Sequence, residues 1–134
     1  MTPTPSAAEA SLCSTYRAQA ECYRQAAALA ESLAARIRAG ADHAEPLGRV
    51  MALLAEVAAL ADRGGAAADE WARGGGRPGA ELRAVLGEVL GLIERLARSL
   101  AEAEQAAAAR HAGLAPEIDA LIRGRAMRRA YGFA

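Results

Sequence analysis

The few side chains in this sequence that carry chemistry of their own are scattered rather than convergent. The two histidines, His43 and His111, have no cysteine or carboxylate at a spacing that suits zinc. The Glu-x-x-His pairs that hold di-iron centres in helical bundles are missing. No lysine occurs, which excludes a Walker A phosphate loop, a Schiff-base enzyme and a lysine general base. All 16 basic residues are arginine. Helical mutases hold a dicarboxylate between core arginines, but here Arg110 is the only arginine on the main apolar seam, where a neighbouring helix end could solvate it. Gly74-Gly75-Gly76-Arg77-Pro78-Gly79 has no strand before it, so it reads as a turn and not as a phosphate cradle. Cys13 and Cys22 lie about 13 Å apart along one expected helix, on opposite faces, and cannot bridge each other. Free thiols suit a reducing compartment. We expect no enzyme, no cofactor and no metal.

The elements that would position these residues are helices. From Leu82, steps of seven give Leu82, Val89, Leu96 and Ala103, and the series offset by four gives Leu86, Ile93, Leu100, Ala107 and Leu114. Two interleaved apolar rows over four heptads predict a long helix with a coiled-coil type seam, around which the chain reads as organised. Such a seam needs antiparallel neighbours or a second copy of the chain. We expect an all-α antiparallel bundle of three long helices, with helical spans at 7–39, 46–73, 79–112 and 116–130 after a disordered lead at 1–5.

Local signals set those bounds. Ser6-Ala7-Ala8-Glu9 is a capping box with Ser6 as N-cap and Glu9 reaching back to its amide. Gly40 supplies the end of the first helix. The rows Tyr16, Tyr23, Ala30, Ile37 and Leu12, Gln19, Ala26, Leu33 form its buried face. Pro46 fits the first turn of the second helix, whose stripe is Leu47, Val50, Leu54, Val57 and Leu60. Gly64-Gly65 is a stop or kink, predicting one bent helix that ends near Arg73. Trp71, the single tryptophan, reads as a hydrophobic plug at one end of the bundle. Gly87 and Gly91, four apart inside a helix, suggest a close crossing or simple drift.

Composition makes the core thin. Alanine is the commonest residue and aromatics are only 4% of the 134 residues. Lean bundles of this kind bury barely enough area to offset ordering entropy, which argues for a homodimer or a bound partner. Net charge is zero, so no global field draws in nucleic acid. Arg123, Arg125, Arg128 and Arg129 crowd the last dozen residues, a weak footprint for nucleic acid. No apolar run could insert into a membrane and no signal peptide leads the chain, so a cytoplasmic, single-domain protein spanning 6–134 is expected.

Leu82-Arg83-Ala84-Val85-Leu86 through Ile93-Glu94-Arg95-Leu96, followed by Met127-Arg128-Arg129-Ala130-Tyr131-Gly132, resembles the flagellar type III export chaperones for the hook-associated proteins, the FlgN-like group. The likeness covers most of the length and rests on size, three long helices and the late Tyr-Gly. It implies a chaperone that does no chemistry. Such a protein binds amphipathic C-terminal helices of hook-associated export substrates in an apolar groove and delivers them to the export gate. The groove, or a dimer seam, would use Leu82, Leu86, Val89, Ile93, Leu96 and Leu100. The resemblance assigns the gate contact to Tyr131, with Met127, Arg128 and Arg129 beside it. The alternative reading is a structural or adaptor coiled-coil protein that homodimerises through the same seam, with no export role.

Overall fold

A computed structural model describes residues 6–110 and 122–123, and their fold is all-helical. Its four helices are α1 (Ala7–Ala39), α2 (Ala44–Arg63), α3 (Gly65–Arg73) and α4 (Ala80–Arg110). The expected lead at 1–5 and most of the expected helix at 116–130 lie outside the described residues. Among the described residues, no helix is long and apolar enough to cross a membrane.

Capping explains where each helix starts and stops. The Glu9 amide donates to Ser6 Oγ at 3.1 Å, so Ser6 is the N-cap of α1 as its type predicts. The other half of the capping box does not form. Glu9 instead sends its carboxylate across to the glycine turn between α3 and α4, where it accepts from Trp71 Nε1 at 3.3 Å and from the Gly79 amide at 3.0 Å. Gly40 ends α1 in the left-handed region, with φ 70°, and its amide bonds back to the last carbonyls. Helix α2 begins two residues ahead of Pro46, because Asp42 Oδ1 accepts from the Ala44 amide at 3.0 Å and starts the turn early. Gly64 breaks the second rod, giving two helices where one bent helix is predicted, and α3 ends at Arg73.

The hub of the fold is α1, not α4. Helices α2, α3 and α4 each pack on α1, whereas α2 and α4 share no comparable interface. The reason is visible in the buried rows. Helix α1 buries Leu12, Gln19, Ala26 and Leu33, and also Cys13, Ala20, Ala27 and Ala34, besides Tyr23, Ala30 and Ile37. Three adjacent rows make a face wide enough for two neighbours, while a two-row seam serves only one. On α4 the row Leu82, Val89, Leu96, Ala103 is buried throughout. Its companion is split: Leu100 and Ala107 are buried, but Leu86 and Ile93 are only partly so, and Val85, Ser99 and Ala106 take the inward positions at an offset of three.

Side-chain contacts fix the directions. Pairs Arg17–Glu81, Arg24–Glu88, Glu31–Arg95 and Arg38–Glu102 each span 64 residues, so α1 and α4 run side by side in the same direction at constant register. Between α1 and the rod of α2 and α3 the order is reversed: Arg36 lies near Pro46, Gln19 Nε2 donates to the Val57 carbonyl at 3.2 Å, and Thr15 abuts Gly64. The ion pairs sit in solvent and each contributes little alone. Apolar burial carries the stability, with Tyr23, Leu33, Leu54, Leu82 and Leu96 fully enclosed. Alanine fills much of the remaining interface, so the core is as thin as the composition predicts.

Candidate functional site

One face of α4 stands out because its apolar surface is left in water. Leu86, Leu90, Ile93 and Ala97 recur at steps of four, three and four, which places them on a single stripe. Leu90 is 61% exposed, the one large apolar side chain so exposed among the described residues. Gly87 and Gly91 flank it, and a Cβ added at either would meet nothing within 4 Å. The two glycines therefore do not mark a close crossing among the described residues. They flatten the helix beside Leu90, so that another backbone could approach it closely.

Toward its C-terminal end the same stripe is covered. Ile122, 4% exposed, sits against Ala97, Leu100 and Ala101, and Arg123 pairs with Glu104. Apolar surface on α4 is thus enclosed beside Leu100 and open beside Leu90.

The sequence-derived groove residues divide accordingly. Leu82, Val89, Leu96 and Leu100 are buried within the chain. Leu86 and Ile93 are partly exposed and border Leu90. The four gate residues, Met127, Arg128, Arg129 and Tyr131, lie outside the described residues. Leu90 escapes both heptad rows, although its spacing of four from Leu86 and three from Ile93 could have revealed it.

Several groups able to do chemistry are buried or already paired. Burial raises the Cys13 thiol above its usual range, and nearby Glu81 adds to the effect, so the nucleophilic thiolate is disfavoured. Burial raises Cys22 as well. Both cysteines are free. Desolvation likewise drives the Tyr23 phenol upward. Arg110 donates to the Arg38 carbonyl at 2.5 Å, lying across the end of α1, where a cation meets unpaired carbonyls and the negative end of the dipole. A recess between the start of α1 and the glycine turn holds the Glu9 carboxylate on the Trp71 and Gly79 donors, which an incoming anion would need. Trp71 itself packs with Leu12, Cys13 and Leu82 at this end of the molecule. Among the described residues no group of three His, Cys, Asp or Glu side chains could hold a metal ion. What the open stripe can do is receive a helix. In comparisons with protein-family models, with curated proteins and with solved structures, no match is found.

Proposed function

We propose that this chain is a non-enzymatic binding protein whose three rods, α1, α2 with α3, and α4, form an antiparallel bundle that presents the Leu86–Leu90–Ile93 stripe to a partner's amphipathic helix. The observation that carries the reading is the 61% exposure of Leu90 in an apolar row flanked by two open glycines. Leu86, Leu90 and Ile93 form one apolar row along which a partner helix can lay its own apolar face. In this reading the protein is a cytoplasmic export chaperone of the FlgN-like kind. It shields the C-terminal helices of hook-associated proteins and hands them to the type III export gate through Met127, Arg128, Arg129 and Tyr131.

The test is calorimetric titration with a synthetic peptide of a hook-associated protein's C-terminal helix, alongside the Leu90→Glu variant. Saturable binding that Leu90→Glu abolishes supports the reading. Absence of binding to such helices by the parent chain sinks it. A second reading, a homodimerising adaptor, is favoured by Gly87 and Gly91, since their open flank would admit a second copy's helix. Sedimentation that shows a dimer lost in Leu90→Glu, with no peptide binding, selects that reading.

A further inference from the structure

The face of α4 around Leu90 carries charge as well as apolar surface, and it is complementary to itself. Steps of four, three and four from Arg83 pass through Gly87, Leu90 and Glu94, which puts the four positions on one line along the helix. All four are exposed. Arg83 and Glu94 take no part in the rungs to α1, and neither side chain has a charged partner among the described residues. We propose that this line is the contact between two copies of the chain, whose α4 helices pair antiparallel about a two-fold axis between Glu88 and Val89. The proposal rests on the reading of this stripe as a helix-receiving face and names a second α4 as its occupant.

An axis at that point sets Arg83 level with the partner's Glu94 and Leu90 level with the partner's Gly87, and symmetry repeats both pairs. Leu86 likewise stands level with the partner's Gly91. Opposite charges therefore meet at both ends of the contact, and each leucine arrives beside a position that has no side chain. A parallel pair would instead bring Arg83 to Arg83 and Glu94 to Glu94, which repel. Glycine inside a helix weakens it, and among the described residues nothing would meet a Cβ at Gly87 or Gly91. Packing within the described chain does not call for these glycines, whereas a leucine from a second helix does. Ala97 falls level with the partner's Ala80, the first residue of α4, so the overlap runs from Ala80 to Ala97, about 26 Å. It ends where Ile122 begins to cover the stripe. So short a contact makes the pair weak and concentration-dependent, and a client helix competes with it for the same face.

Sedimentation equilibrium of the full chain over a range of concentrations measures the association, and the parent should dimerise reversibly. Arg83→Glu and Glu94→Arg, each alone, set like charges level at both ends and should weaken the dimer about tenfold. The chain carrying both should return to within about twofold of the parent, because the pairs re-form with opposite sense. Far-ultraviolet circular dichroism confirms that each variant keeps its helices. A parent that stays monomeric into the millimolar range overturns the proposal. Single variants that associate as the parent does, or a double variant that stays weak, overturn it too, since the dimer then uses another face or another register. This charge pattern in a chain that binds no hook-associated peptide keeps the pairing and sinks the chaperone reading; peptide binding by a strictly monomeric chain does the reverse.

Discussion

Glu31 on α1 faces Arg95 on α4, and it is the one rung of the inter-helix ladder with reversed polarity. At Arg17–Glu81, Arg24–Glu88 and Arg38–Glu102 the arginine belongs to α1; at Glu31–Arg95 it belongs to α4. Reversal gives the ladder a unique register. Sliding α4 one heptad either way would bring Glu31 opposite a glutamate and Arg95 opposite an arginine. A uniform ladder would tolerate the slip, and the alanine interface beneath it offers little shape to resist one. The guanidinium of Arg95 holds the Glu31 carboxyl below the usual range, and the pair strengthens Arg95 as a cation.

Arg95→Glu should lower the thermal midpoint modestly, because it leaves two carboxylates opposed. Adding Glu31→Arg should restore most of the loss, since the pair is re-formed with opposite sense. Thermal unfolding followed by circular dichroism at low salt checks both, and high salt should compress the difference. A loss in the single variant that the swap does not recover would show that the pair is not a determinant of register.

Packing at the alanine face gives a larger effect. Ala30 is wholly buried, so Ala30→Leu must push α1 from its neighbours and should cost about 1–3 kcal/mol. Ala28, two residues away, is exposed, and Ala28→Leu should change stability by less than about 0.5 kcal/mol. Urea unfolding of the two variants measures the contrast.

Gly40 is constrained by its own backbone and by its neighbour. Its φ of 70° disfavours any side chain, and a Cβ there would come within 2.5 Å of the Arg110 guanidinium. Gly40→Ala should cost about 1–3 kcal/mol. The loss should shrink slightly in an Arg110→Ala background, where the side chain that must move is gone. The same urea protocol reads this cycle.

Raising the pH should unfold the protein through groups that fold in their neutral forms. Tyr23 is raised by burial from the ordinary phenol value of 10.0, and Cys13 and Cys22 by burial from an ordinary thiol value of 9.0. Stability from a neutral group whose folded value is raised is complete below its unfolded value and drains as pH climbs past it. The midpoint should hold up to about pH 9 and fall above it. In Tyr23→Phe the fall should be shallower above about pH 10, which thermal scans across that range would detect.

Much of this architecture is legible in the sequence because local rules govern it. Ser6, Gly40 and Gly64 mark helix ends by their conformational preferences, and the rows through Leu12 and Tyr23 report a buried face. The rank of the helices is not legible by the same means. Regular leucines draw attention to α4, whereas alanines at Ala20, Ala27 and Ala34 conceal the third buried row that makes α1 the hub. Glu9 also eludes local reasoning. Its nearest donor is Ser6's amide, but the tertiary donors on Trp71 and Gly79 prevail. The charge ladder could have been read, since complementary residues recur at one fixed separation through four heptads. Leu90 is hidden for a different reason: a two-row heptad template has no place for a third apolar position, although its steps of four from Leu86 and three to Ile93 mark one.

Because α1 and α4 point the same way, Ser6 and the glycine turn share one pole, and the backbone leaves Arg110 at the other. The 31 residues of α4 separate these poles by about 46 Å. A fluorophore attached near Ser6 would therefore sit far from both Gly40 and Arg110. Energy transfer between that dye and one near position 110 would become a ruler of the long rod, its efficiency changing as the rod melts.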